Sequence, residues 1–198
     1  MIGFLRGQLI EKQAPFVLID VNGVGYDVET PMSSFFNLPA VGEPVHIRTH
    51  LVIRDDAHIL FGFLTEQERA MFRNLIKVNG VGPKVALGIL SGISVLDFCQ
   101  SVTDNNVAAL VRLPGIGKKT AERLIIEMRD RLPDQVVSSA SGESVVVQQH
   151  SPQSEAISAL VALGYKQAEA EKRVKAIATD DASSEQMIRL ALQSVIKK

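Results

Sequence analysis

The sequence predicts a multi-domain α+β chain of 198 residues: a small N-terminal β-barrel, a central all-helical domain and a small C-terminal domain of three helices. Three observations carry that prediction. Apolar and polar residues alternate with period two in the first 63 residues. From Thr65 to Leu132 the pattern is helical and short-looped, and a Ser/Gln/Val-rich stretch at 134–153 separates it from three further helical patterns. Period-two alternation marks strands buried on one face, and a 3.6-residue period marks amphipathic helices.

Within residues 1–63, Ile2–Leu9, Phe16–Val21 and Val24–Thr30 are short, rich in β-branched and aromatic residues, and separated by Pro, Gly and Asn. Those are strand and turn signals. A small helix is expected over Pro31–Leu38. Val45, Ile47, Thr49, Leu51 and Ile53 then alternate with His46, Arg48 and His50, and Ile59, Phe61 and Phe63 resume the alternation after Arg54-Asp55-Asp56-Ala57. That is a hairpin with a charged tip. Five or six short strands in about 60 residues suggest a small closed barrel of the OB type.

Thr65-Glu66-Gln67-Glu68 reads as a capping box that opens a helix running to about Val78. Ser94 and Asp104 are expected to cap further helices, and Pro133 to end the region 64–133. Residues 134–153 read as a flexible linker in which Val145-Val146-Val147 could pair as an edge strand. In residues 154–198, Ala156–Leu163 leads to a Gly164-Tyr165 turn, Gln167–Ala178 follows, and Ser183–Gln186 is a second capping box before the last helix. So small a module on a long tether reads as a docking piece.

The functional signal is an internal repeat. Asn79-Gly80-Val81-Gly82-Pro83-Lys84-Val85-Ala86-Leu87-Gly88-Ile89-Leu90 aligns with Pro114-Gly115-Ile116-Gly117-Lys118-Lys119-Thr120-Ala121-Glu122-Arg123-Leu124-Ile125, 35 residues on. In each copy a Gly-apolar-Gly turn opens a helix that carries an early lysine. The glycines allow a tight turn with bare backbone N–H groups beside the positive end of a helix dipole, and this suits a phosphate. A matched pair of such helix-hairpin-helix elements reads as a sequence-blind grip on nucleic-acid backbone. The spacing excludes a P-loop, because Arg112 stands where the first glycine belongs and Lys119 where Ser or Thr belongs. It excludes a dinucleotide fingerprint, because Val85 and Thr120 stand at the third glycine.

Charge is distributed to match. Residues 1–63 carry 4 basic and 7 acidic side chains, residues 64–133 carry 10 and 7, and residues 134–198 carry 7 and 8. The net values are therefore −3, +3 and −1, with the positive charge where the repeats lie, as an electrostatic footprint should be. Cys99 is the only cysteine, so no intrachain disulfide is possible and a reducing cytoplasm is the expected home. One Cys and four scattered His residues make a zinc site a poor expectation, and no apolar run approaches membrane-spanning length.

In the order of its parts the chain closely resembles the RuvA family of four-way-junction binding proteins. The likeness rests on Gly-Phe-Leu-Arg-Gly at 3–7, Gly23-Val24-Gly25-Tyr26, the Arg54-Asp55-Asp56 tip, Asn79–Lys84, Leu113–Arg123 and Ala159–Tyr165. It implies a non-catalytic homotetramer that holds an open Holliday junction. It also implies recruitment of a RuvB-like hexameric ATPase for branch migration in recombination and repair, with a RuvC-like resolvase as a further partner and no cofactor. The family's phosphate-contacting motif falls on Asn79, Gly80, Val81, Gly82 and Lys84, and on Gly115, Ile116, Gly117, Lys118, Lys119 and Arg123. The acidic pin falls on Asp55 and Asp56, where many relatives carry Glu at the first position. Arg54 reads equally as a junction contact or as the acids' counter-charge, and Leu160, Leu163 and Tyr165 are the candidate motor-docking residues, some of them core.

Rival readings stay open on the sequence alone. Paired carboxylates at Asp55 and Asp56 could bind Mg²⁺ in a nuclease, although neighbours at a hairpin tip make a poor chelate. A hairpin-bearing DNA glycosylase would need a catalytic Asp soon after the motif, for which Asp130 and Asp134 are placed. An RNA-binding OB protein would need stacking aromatics on a strand face, and none is evident in the sequence.

Overall fold

The computed structural model describes residues 1–129, 131, 152–177 and 183–196. The chain divides into two compact units, Met1–Gly142 and Glu143–Lys198. Five strands open the first: β1 (Phe4–Gln13), β2 (Phe16–Val21), β3 (Val24–Glu29), β4 (Pro44–Ile53) and β5 (His58–Phe63). They close into a barrel in the order β1-β2-β3-β5-β4, with β3 parallel to β5 and every other pair antiparallel. This is the OB-like barrel expected from the alternation. Leu9, Ile19, Val28 and Ile47 point inward and are fully buried.

One strand differs from expectation. β1 starts two residues later than Ile2 and continues to Gln13, because one long strand serves two neighbours. Residues 4–8 pair with β4 and residues 8–13 with β2, across an irregularity between Leu9 and Glu11. Such a bulge bends a strand so that it can turn a barrel's corner. Gly7 sits at this crowded crossing, where a Cβ would lie 2.0 Å from the Asp20 carbonyl oxygen.

Helix α1 (Met32–Phe36) lies between β3 and β4. Next come α2 (Glu66–Leu75), α3 (Pro83–Gly92), α4 (Val95–Thr103), α5 (Val107–Val111) and α6 (Lys118–Arg129). The barrel and these helices share a core, in which Phe61 and Phe63 of β5 pack their rings against Phe72 of α2 at centroid distances of 4.9 and 5.0 Å. Thr65 caps α2 by accepting from the Glu68 N–H at 3.2 Å. The other half of the expected box is redirected: the Glu68 carboxylate accepts from the hydroxyls of Ser33 and Ser34 at 2.6 and 2.8 Å. Ser34, itself buried, accepts from the Leu64 N–H at 2.9 Å. A side chain expected to cap its own helix thus binds α1 to it.

Two helix limits are corrected. α2 ends at Leu75, and the chain reaches Val78 through tighter turns such as Val78 N–H to the Leu75 carbonyl, 3.0 Å. Ser94 caps α4 as expected, but Asp104 is the C-cap of α4 and caps no new helix. Asn105 has left-handed φ (+55°) and turns the chain, so Asn106 caps α5 instead, accepting from the Ala109 N–H at 3.0 Å.

His50 on β4 is held between sheet and helix. Its ring lies 5.6 Å from that of Phe72, and the Arg73 Nε–H donates to its Nδ1 at 3.3 Å. Burial lowers its pKa, and the positive charges of Arg73 and Arg69 lower it further. The folded state therefore resists the proton that an unfolded histidine accepts below about pH 6.5. Stability from this group is complete above that pH and is lost as pH falls toward the depressed folded value. Denaturant midpoints measured across this window should fall with pH, and His50→Gln should flatten that slope. An unchanged slope would mean that another group titrates.

The second unit holds α7 (Pro152–Ala162), α8 (Gln167–Ile177) and α9 (Ser184–Ile196). α7 begins at Pro152, inside the segment read as linker; residues 132–151, with Pro133, Asp134 and the three valines, lie outside the described residues. The Gly164-Tyr165 turn forms as expected. Gly164 has φ +97°, its N–H reaches the Val161 carbonyl, and the Tyr165 N–H reaches that of Leu160, a Schellman ending. The second capping box is reciprocal, with Ser183 and Gln186 exchanging backbone-to-side-chain bonds at 3.3 Å. No single described helix is long and apolar enough to cross a membrane.

Candidate nucleic-acid interface

The two hairpin turns repeat the same backbone hydrogen bonds. Val78 N–H to Leu75 O, Val81 N–H to Val78 O and Ala86 N–H to Gly82 O recur 35 residues later as Leu113 to Leu110, Ile116 to Leu113 and Ala121 to Gly117. All six lie between 2.9 and 3.2 Å. Gly80 and Gly115 have φ of +89° and +77°, which explains glycine at those places. Val81 and Ile116 are buried plugs that anchor each turn. Their side chains face the core and their N–H groups are used within the turn, so both act by shaping the site.

Gly82 and Gly117 need another explanation. A Cβ on either would meet no protein atom within 4 Å, and Gly82 has an ordinary φ of −81°. The fold does not require glycine there. What a side chain would fill is the open space before the first turns of α3 and α6, where amides preceding the first intrahelical bond remain unpaired. Lys84, Lys118 and Lys119 are exposed at those helix starts, and among the described residues none is in an ion pair. Several acids of this region are engaged elsewhere: Glu66 with Arg48 and Arg69, Glu127 with Arg131, and Glu68 with the serines. The arrangement offers two cationic seats for anions.

The turns also hold each other. Arg123 on α6 donates from Nη1 to the Asn79 carbonyl at 3.1 Å, bracing the first turn from the second repeat. In the repeat, Gly88 corresponds to Arg123 and Pro114 to Asn79. There the approach is close packing: a Cβ on Gly88 would lie 3.7 Å from the Pro114 carbonyl oxygen, and one on Gly115 3.8 Å from a Val85 methyl. Arg123, expected as a phosphate contact, thus has a bracing role that its position in the sequence did not reveal.

The acidic tip is formed as expected. Ile53 pairs with His58, and the Arg54 N–H to Ala57 carbonyl bond, 2.8 Å, closes the loop. Arg54, Asp55 and Asp56 are all exposed, and no ion pair joins Arg54 to either acid. Among the described residues no three His, Cys, Asp or Glu side chains come together as metal ligands. Asp130 and Asp134, the acids of the glycosylase reading, lie outside the described residues.

In the second unit Leu160 is 0% exposed and belongs to a core with Ala156, Ala170, Val174, Met187 and Ala191. Of the three docking candidates, some of them expected to be core, Leu160 is a core residue, because α7 turns that face toward α8 and α9. Leu163 is 61% exposed, and Tyr165 is half-buried beneath the Arg173 guanidinium. Val161 and Leu190 are further exposed apolar side chains here. Sequence reading missed them because helical period alone does not tell the inner from the outer face in so small a bundle.

Known proteins match this chain along most of its length. The family described as RuvA N terminal domain matches residues 1–62, a SAM-like helix-hairpin-helix tandem matches 72–130, and the RuvA C-terminal domain matches 151–195. A protein of Methylococcus capsulatus is 55% identical and one of Thioalkalivibrio sulfidiphilus 52%, each over the whole of both chains. One of Vibrio parahaemolyticus is 52% identical over 99% of this chain and all of its own. Each of these is called Holliday junction branch migration complex subunit RuvA.

Proposed function

This chain belongs to the RuvA family, and we propose from that premise that it binds four-way (Holliday) DNA junctions as a non-catalytic homotetramer. The observation that carries the proposal is the pair of open, cationic turns in the same compact unit as an exposed acidic tip. Gly82 and Gly117 keep the amides accessible, and Lys84, Lys118 and Lys119 supply charge. Together they grip phosphates without reading bases. Asp55 and Asp56 repel phosphates instead, so a structure whose strands part at a centre is accepted over a continuous duplex. Binding of a mobile four-way junction against linear duplex of the same sequence, with purified protein, tests this. Equal affinities, base release or strand cleavage would count against it.

The second unit recruits the motor, a RuvB-like ATPase, through exposed apolar side chains that include Leu163. Truncation after Pro133 removes a segment of net charge −1 and no phosphate seat. Junction affinity should persist, while stimulation of the ATPase should disappear. A truncated chain that still stimulates the motor would place docking on the first unit.

A further inference from the structure

The outer surface of the barrel is electrically divided. In the β2–β3 pair, Val17, Val28, Ile19 and Tyr26 face inward, so Phe16, Leu18 and Asp20 lie outward beside Glu29, Asp27 and Gly25. The outward residues of this strand pair include three acids and no base, and Lys84 of α3 lines the same pocket as Phe16 and Glu29. An OB barrel ordinarily binds single strands around strands 2 and 3, and here those strands turn acids outward. The β1–β4 pair is the reverse. Leu5, Ile47 and Val45 face inward, and outward the register sets Phe4 against Arg48, Arg6 against His46 and Gln8 against Pro44. This stretch holds two arginines and no acid, on a barrel whose net charge is −3 (4 basic, 7 acidic).

The same face presents aromatic surface. The Phe4 and His46 rings lie 5.2 Å apart at an interplanar angle of 59°, and Phe4 remains 58% exposed. Glu66, at the rim, pairs with Arg48 at 3.0 Å and also with Arg69, so the trio keeps a net positive charge. A sequence scan for stacking aromatics overlooks this pair, because the two rings come from strands 42 positions apart.

We propose that the β1–β4 face binds an unpaired DNA strand, with bases stacking on Phe4 and His46 and phosphates meeting Arg6 and Arg48. Exposed rings flanked by cations are the usual means of holding single strands. A duplex offers such rings nothing, because its bases are already stacked on one another. Charge favours a polyanion over a neutral or basic partner. The hairpins take no part, so this proposal and the junction reading can fail separately.

The chain contains no tryptophan, so Phe4→Trp places a single reporter on the face. In the full-length protein, an oligothymidylate of about 15 nucleotides should quench its fluorescence, and linear duplex should not. Phe4→Ala should weaken oligothymidylate binding about tenfold, and Arg6→Gln should lower the log–log salt slope by about 0.7. Lys84→Ala/Lys119→Ala should keep the quench. Absence of quenching, equal quenching by duplex or by polyglutamate, or unchanged affinity in Phe4→Ala would overturn the proposal. A lower sedimentation mass of Phe4→Ala would overturn it too, by assigning the face to contact between copies.

Discussion

Replacing Lys84 and Lys119 together with alanine is expected to lower affinity for four-way junction and linear duplex alike, whatever their base sequence, on the order of tenfold for each phosphate left without its lysine at 0.1 M salt. The two lysines are structural twins, 35 residues apart, each exposed at the start of the helix that follows its turn. Each should neutralise about one phosphate, so the log–log salt slope should flatten by about 0.9 per lysine removed. The turns themselves should survive, since Val81, Ile116 and the repeated backbone bonds do not involve the lysine side chains. Titrations of junction and duplex at several salt concentrations measure both quantities. A weakening confined to particular base sequences would contradict a backbone grip, because phosphates carry no sequence information. An unchanged salt slope would remove the lysines from the interface.

The repeat was legible because both its signals are local. A glycine at positive φ and a buried residue between two glycines follow from a few adjacent residues, and the equal spacing carries over into equal hydrogen bonds. The barrel was legible for a similar reason, since strands buried on one face alternate. What escaped depends on residues far apart in the chain. Glu68 looks like a capping residue until Ser33 and Ser34 of α1 arrive to bind it. The bond from Arg123 to the Asn79 carbonyl, 3.1 Å, joins the two repeats and cannot be read from either one alone. Leu160 and Leu163 differ by three positions on one pattern, yet the first is core and the second exposed, and only the packing of α8 and α9 decides which. Asp104 was misread because Asn and Asp serve equally as N-caps, and the left-handed turn at Asn105 selects Asn106.

Changing Asp55 and Asp56 to Asn is expected to leave junction binding intact or tighter, and to raise linear-duplex binding by a larger factor. The substitution removes two negative charges per chain from an exposed tip whose backbone is held by the Arg54–Ala57 bond and the Ile53–His58 pairing. Shape is therefore kept while charge changes. A carboxylate about 5 Å from a phosphate repels it by about 1 kcal/mol in water, and more strongly where water is partly excluded. In the proposed tetramer eight carboxylates converge on the centre, where a junction leaves an opening but a continuous duplex would have to cross. Relief of that repulsion thus favours duplex more than junction. A change of about 1.4 kcal/mol in the difference between the two is a tenfold loss of discrimination. Branch migration rates should change as well, because strands must separate and re-pair beside these residues. Titrating both DNAs against each protein, with and without Mg²⁺, separates this from the chelate reading. If the Asn variant loses junction binding together with its dependence on Mg²⁺, the carboxylates are metal ligands. If both DNAs keep their wild-type affinities, the tip's charge does not select the junction, and discrimination must arise from the geometry of the hairpins alone.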